Sequence, residues 1–176
     1  MNGLLTRNRV IGLAIAGVIF ALDQLVKWWV IGPLKLREVG KIDLLPFFDL
    51  TYTENRGVSL GLLQATSMEM RWALVAITAL IALVVLVWML REKALGDIAG
   101  LGLILGGALG NIIDRYYLGY VIDYADFHIG DFRPFLIFNI ADAAITIGVL
   151  IILARSFFVS DKDTANEQAG TQPAES

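Results

Sequence analysis

The chain has 176 residues, of which 57% are hydrophobic, and it carries a formal net charge of −3 and no cysteine. Its mean hydropathy of +0.68 and its long apolar runs exclude an ordinary globular domain and indicate an integral membrane protein. The lack of cysteine excludes disulfides and thiolate chemistry, and the single histidine, His128, excludes a two-histidine zinc site. The sequence has no stripe of basic residues of the kind that indicates a nucleic acid partner.

Four apolar runs predict four transmembrane helices, over about residues 10–31, 70–90, 98–114 and 135–153. Residues 1–159 are predicted to form one mainly α-helical membrane domain, followed by a disordered polar tail over residues 160–176. An even number of spans places both termini on one side of the membrane. Basic residues lie more densely beside the spans on that side, which favours cytoplasmic termini.

The first predicted span contains Asp23 and Lys27, which share a helix face at i, i+4 spacing and are interpreted as a structural ion pair. A different reading makes Lys27 the base of a serine nucleophile, supplied by Ser59 or Ser67 from the following loop. Nothing in the spacing brings either serine to Lys27, so the ion pair is the favoured interpretation.

The loop of about residues 32–67 is the longest polar excursion between spans. Apolar and polar residues alternate from Phe48 to Thr53, which predicts a half-buried strand. Asn55 and Gly57 are typical of a turn, and the apolar segment 58–63 could return as a second strand. The loop is therefore predicted to form a small sheet on the membrane surface.

The third predicted span combines small residues with polar ones. Three glycines recur at four-residue spacing: Gly102, Gly106 and Gly110. This stripe predicts close approach of a neighbouring helix. Further along, Asn111 shares a face with Asp114 and Arg115. Asp114 is interpreted as an ion-pair or hydrogen-bonding residue for Arg115 or its surroundings.

The most informative stretch places Asp123 and Asp142 on either side of a turn around Gly130 and Pro134. If the chain reverses midway between the two acids, between residues 132 and 133, the acids lie level with each other. Because charged groups are costly within a membrane, by about 2.5–3.5 kcal/mol each, such a pair indicates a working site. Asp142 is expected about eight residues into the fourth span, on the same face as Asn139, and Asp126 is a possible substitute for Asp123.

Two neighbouring carboxylates share one proton, as in aspartic proteases, where one takes a proton from water and the other donates to a peptide carbonyl. The same pair could carry protons or cations in a transporter. A structural membrane subunit, in which the acids only hold helices together, is the third interpretation.

The order of the short motifs resembles the lipoprotein signal peptidase (signal peptidase II) family. The motifs are Asp23-Gln24-x-x-Lys27, Asn55-x-Gly57, Gly110-Asn111-x-x-Asp114-Arg115, Val121-x-Asp123-Tyr124 and Phe138-Asn139-x-Ala141-Asp142. The resemblance covers about residues 10–155 and excludes the tail. Tyr124 stands where phenylalanine is usual in the family.

The resemblance implies a bacterial inner-membrane aspartic peptidase that cuts prolipoproteins before a cysteine carrying diacylglyceryl. It implies Asp123 and Asp142 as the catalytic dyad, with no metal and no cofactor. The implied substrate-binding or supporting residues are Asn55, Gly57, Asn111, Asp114, Arg115, Asn139, Ala141, Asp23 and Lys27. The expected partners are prolipoprotein signal peptides, membrane lipid and cyclic peptide inhibitors of the globomycin type. The termini are expected in the cytoplasm, and the active site is expected toward the periplasm beneath a small β-type cradle.

Overall fold

The structure of the protein is a computed structural model that describes residues 6–57 and 67–169, with side chains of the last helix described as far as Phe158. The helices are α1 (Arg7–Ile31), α2 (Leu36–Val39), α3 (Met68–Arg91), α4 (Leu95–Tyr117) and α5 (Ile140–Ala169). The strands are β1 (Lys41–Leu45), β2 (Phe48–Asn55) and β3 (Val121–Phe127). The predicted class, a mainly helical membrane protein with a small sheet, is confirmed.

Four helices in the described part of the chain are long and apolar enough to cross a membrane: Arg7–Ile31, Met68–Arg91, Leu95–Tyr117 and Ile140–Phe158. The first three extend a few residues beyond the predicted spans at one or both ends. Hydropathy marks only the apolar middle of a span, whereas the backbone hydrogen bonds continue through polar residues at the membrane interface.

The start of the fourth helix was predicted wrongly. It begins at Ile140, not at about residue 135, because Phe138 pairs its backbone with Ala125 and Asn139 caps the helix. Asp142 therefore lies in the first turn of α5 rather than about eight residues into a span.

The end of α5 also differs from the prediction. The helix continues to Ala169, into the predicted disordered tail, through a segment without glycine or proline to break it. Residues 170–176 lie outside the described residues.

Helix α4 lies at the centre of the bundle and contacts α1, α3 and α5. The predicted glycine stripe faces α1: a Cβ at Gly102 would lie 2.7 Å from the Gly12 carbonyl oxygen, and one at Gly106 would lie 2.5 Å from the Ala16 carbonyl oxygen. Gly107 faces the start of α5 in the same way. Small residues on two sides of α4 thus let it pack closely against two helices.

The sheet has the strand order β1-β2-β3, and both pairings are antiparallel. The predicted strand from Phe48 is confirmed as β2, but its partners are β1 and the later strand β3. The proposed return strand 58–63 lies outside the described residues. Because β3 follows α4 directly in the chain, the sheet holds Asp123 over the end of the helix bundle.

Candidate active site

Asp123 lies on β3 and is 2% exposed. Each of its carboxylate oxygens accepts a hydrogen bond from a side-chain amide. Asn139 Nδ2 donates to Oδ1 at 2.6 Å, and Asn55 Nδ2 donates to Oδ2 at 3.0 Å. Asn55 sits opposite Val121 at the end of β2, so the pairing of the two strands brings this donor to Asp123.

Asp142 is half-buried and is held by the N-terminus of its own helix. Asn139 Oδ1 accepts from the Asp142 backbone N–H at 2.9 Å, and Asp142 Oδ2 accepts from the Asn139 backbone N–H at 3.4 Å. This reciprocal pair has the form of a capping box, which satisfies N–H groups that have no partner within the helix. Asp142 Oδ1 also accepts from Asn111 Nδ2 at 2.8 Å.

One asparagine therefore joins the two acids, since Asn139 caps the helix of Asp142 and donates its amide to Asp123. The chain reversal that brings them together is confirmed, although its centre is shifted. The bridges Ala125 to Phe138 and Ile129 to Phe132 place it near Gly130 and Asp131.

Three amides, those of Asn55, Asn111 and Asn139, are anchored in the same manner. The side-chain oxygen of each accepts from an N–H group, donated by the Gly57 backbone, the Lys27 ammonium and the Asp142 backbone respectively. This contact fixes the direction of the amide, so the NH₂ group of each points to a carboxylate of the pair. The donors around the two acids are therefore fixed in place before any substrate arrives.

A buried ion cluster lies behind the amides. Lys27 Nζ is 2.8 Å from Asp23 Oδ2 and 2.7 Å from Asp114 Oδ2. Gln24 Nε2 donates to Asp114 Oδ1 at 3.1 Å, and Asp23 Oδ1 accepts from the Ala141 backbone N–H at 3.1 Å. The predicted pairing of Asp23 with Lys27 is confirmed. Of the two partners expected for Asp114, Arg115 or its surroundings, the structure shows the second: its charged partner is Lys27, because α1 packs against this face of α4.

Arg115 closes the site on the side of β2. Its guanidinium donates to the Gly57 carbonyl oxygen at 2.8 Å and to the Asn111 carbonyl oxygen at 3.5 Å. The expected turn at Asn55 is confirmed by the Gly57 N–H bond to Asn55 Oδ1. All the site residues expected from the sequence are thus brought to one end of the bundle.

Two residues of this region were missing from the sequence prediction. Gln24 follows Asp23 directly but was not placed in the site, although its neighbour in the motif was. Arg71 donates from Nε to the Arg115 carbonyl oxygen at 2.9 Å, at the C-terminus of α4. A basic residue in the first turn of α3 gives no sequence signal that it will cap another helix.

Asp126 is not brought to the site, and its proposed role as a substitute for Asp123 is wrong. It accepts from Thr51 Oγ1 at 3.1 Å and from Arg133 Nε at 3.0 Å. These contacts tie the 128–136 segment to the sheet. The serine alternative also lacks support: the Ser67 hydroxyl accepts from the Met70 N–H as the cap of α3, and Ser59 lies outside the described residues.

The environment of Asp123 favours its protonated form. Burial, and next the negative charge of Asp142, raise the pKa of Asp123 to about 7, against the opposing effect of the hydrogen bonds from Asn55 and Asn139. Asp142 is the more exposed of the two. Among the side chains that the structure describes, in residues 6–57 and 67–158, no group of three or more His, Cys, Asp or Glu is arranged to hold a metal ion.

Comparison with known proteins identifies the family. Residues 15–158 match the sequence profile described as signal peptidase (SPase) II. The chain belongs to the signal peptidase II family. It is 55% identical to the lipoprotein signal peptidase of Sphingopyxis alaskensis over 86% of this chain and 87% of the relative. It is also 55% identical to that of Rhizorhabdus wittichii, over 88% and 90%.

The fold agrees with this assignment. A bacterial membrane enzyme structure solved by the in meso method at 2.3 Å resolution resembles this chain with a TM-score of 0.71 and 30% identity, over 94% of each chain. As a signal peptidase II, the chain is a multi-pass membrane peptidase of lipoprotein processing. Family membership therefore favours the peptidase over the transporter and the structural subunit.

Proposed function

We propose that the chain is an aspartic endopeptidase that removes the signal peptide of diacylglyceryl-modified prolipoproteins by cleaving before the lipidated cysteine. One observation carries the proposal: a buried Asp123 and a half-buried Asp142, joined by Asn139, lie at one end of the membrane helices. A lipid on the cysteine would hold the scissile bond at that depth.

The catalytic role of each acid follows from its surroundings. Asp142 takes a proton from the attacking water in this proposal, because its carboxylate lies at a helix N-terminus and is the more accessible of the pair. Asp123 is protonated and donates to the oxygen of the scissile carbonyl, in keeping with its burial and raised pKa.

The proton balance then closes without a covalent intermediate. The water oxygen bonds to the carbonyl carbon, and a tetrahedral gem-diol forms. As the C–N bond breaks, Asp142 gives its proton to the leaving nitrogen, and a hydroxyl of the gem-diol returns a proton to Asp123. The products are the signal peptide carboxyl group and a new amino terminus on the lipidated cysteine.

The orientation follows from this chemistry and from the basic residues near the termini. The chain would lie in the bacterial inner membrane with cytoplasmic termini, and the sheet and the acid pair would face the periplasm, where lipidated precursors are presented. A cyclic peptide of the globomycin type would compete at the same end of the bundle. Arg115, Gly57 and Asn55 border the acids and would contact the substrate backbone.

The test is cleavage of a precursor with and without its diacylglyceryl group. Purified protein in detergent is expected to cleave the lipidated precursor and to leave the unlipidated one intact, because the lipid supplies the binding energy that holds the bond at the acids. Mass spectrometry of the product should find the new N-terminus at the modified cysteine. Equal cleavage of both precursors would refute the proposed substrate class.

A further inference from the structure

Lys27 is 2% exposed, and each of the three N–H donors of its buried ammonium group has a partner. Two of its contacts are to carboxylates, Asp23 at 2.8 Å and Asp114 at 2.7 Å. The third is to an amide, since Nζ donates to Asn111 Oδ1 at 3.3 Å. This third contact connects the ion cluster to the acid pair, because Asn111 Nδ2 donates to Asp142 Oδ1 at 2.8 Å.

The Asn111 amide could in principle take either of two orientations, but its surroundings permit one. In the observed orientation, the oxygen accepts from Lys27 and from Asn139 Nδ2, and the NH₂ group faces Asp142. Turned over, the NH₂ group would face two donors, and the oxygen would face a carboxylate oxygen. An ammonium has no acceptor, so it excludes the turned amide in a way that a hydroxyl would not.

We propose that Lys27 is a positioning residue for the hydrolysis, whose ammonium locks the Asn111 amide and so keeps an N–H donor on Asp142. The inference deepens the proposed function and rests on it. Lys27 does not touch the substrate in this account. It acts through Asn111, and the two carboxylates that flank it hold its ammonium in place.

The test compares Lys27→Met with Asn111→Ala and with the double variant, in the cleavage assay with the lipidated precursor. Each single variant should lower kcat on the order of 10- to 100-fold, as misplacement of a catalytic group does, with KM changed by less than about twofold. Because both changes remove the same donor from Asp142, the double variant should be no slower than Asn111→Ala. If the fold-decrease in kcat of the double variant equals the product of the fold-decreases of the two single variants, the inference is overturned.

Lys41→Met is the matched control. Lys41 also contacts two carboxylates, Asp43 and Asp49, each at 2.8 Å, but its side chain is 46% exposed and lies on β1 away from the acid pair. Its kcat should stay within about twofold of the parent, since β2 separates β1 from the strand of Asp123 and the ion pairs of Lys41 include neither acid of the pair. If Lys27→Met does not fold, the variant that combines Lys27→Met with Asp114→Asn replaces it in the comparison. That variant removes one positive and one negative charge, so the net charge of the buried cluster stays the same.

The two proposals fail in different ways. If Asp142→Asn retains cleavage, the proposed function is wrong. If Asp142→Asn abolishes cleavage while Lys27→Met keeps the parental kcat, the function stands and the role of Lys27 is wrong.

Discussion

Replacing either Asp123 or Asp142 with asparagine should lower cleavage of the lipidated precursor on the order of 10⁴- to 10⁶-fold, as loss of an essential catalytic group does in other peptidases. Asparagine keeps the size of the side chain and one acceptor oxygen, so the strand and the helix cap should persist although each variant loses one of the two hydrogen bonds that its carboxylate accepts. At position 142 an amide cannot take the proton of the water, and at position 123 it cannot supply an acidic proton to the carbonyl oxygen. KM should change far less than kcat.

Asp126→Asn is the matched control for both dyad variants. Asp126 lies on the same strand as Asp123 and is equally buried, but its partners are Thr51 and Arg133. The change should lower the midpoint of thermal unfolding in detergent and leave the rate per folded molecule close to the parental value. Loss of activity in Asp126→Asn equal to that of Asp123→Asn would contradict the assignment of the pair.

Gly107→Ala should disrupt the packing that positions Asp142. A Cβ at Gly107 would collide with the Ala141 carbonyl oxygen and lie 2.9 Å from Ile145 Cγ1. The Ala141 carbonyl oxygen belongs to the backbone of α5 and cannot move aside as a flexible side chain can, so α4 and the start of α5 must move apart. We expect destabilisation of about 1–3 kcal/mol, from overpacking. A displacement of Asp142 by about 1 Å could reduce cleavage up to about 100-fold.

Gly17→Ala provides the control for this helix substitution. A Cβ at Gly17, within α1, has no neighbouring atom within 4 Å, so alanine should stabilise the helix by up to about 1 kcal/mol through its better propensity. The unfolding midpoint should therefore fall in Gly107→Ala and stay the same or rise in Gly17→Ala. Cleavage should slow in Gly107→Ala and stay close to the parental rate in Gly17→Ala. Equal behaviour would show that the contact of Gly107 with Ala141 does not position the site.

The sequence was sufficient for the architecture and for most of the residues of the site. Hydropathy located the four spans, and the glycine spacing of α4 predicted close helix packing. The reflection about a turn brought Asp123 and Asp142 together, although its predicted centre lies one to two residues later in the chain than the observed one. The catalytic roles of these two acids remain a prediction.

What the sequence could not supply was long-range pairing. The start of α5 depends on the backbone bridge between Ala125 and Phe138, which no hydropathy profile records. The choice of Lys27 over Arg115 as partner of Asp114 depends on how α1 meets α4. Asp126 is held away from the acid pair by Arg133, which folds back onto the sheet and donates to its carboxylate, a contact that the sequence does not indicate.

The pH dependence of kcat/KM tests the shared-proton mechanism most directly. Because Asp123 must carry a proton and its pKa is about 7, the protonated fraction falls as pH rises through that value. The rate with the lipidated precursor should therefore decline above pH of about 7, approaching tenfold for each further pH unit. A rate that instead rises through pH 7 and stays high to pH of about 9, as a serine nucleophile activated by a neutral lysine requires, would contradict the account.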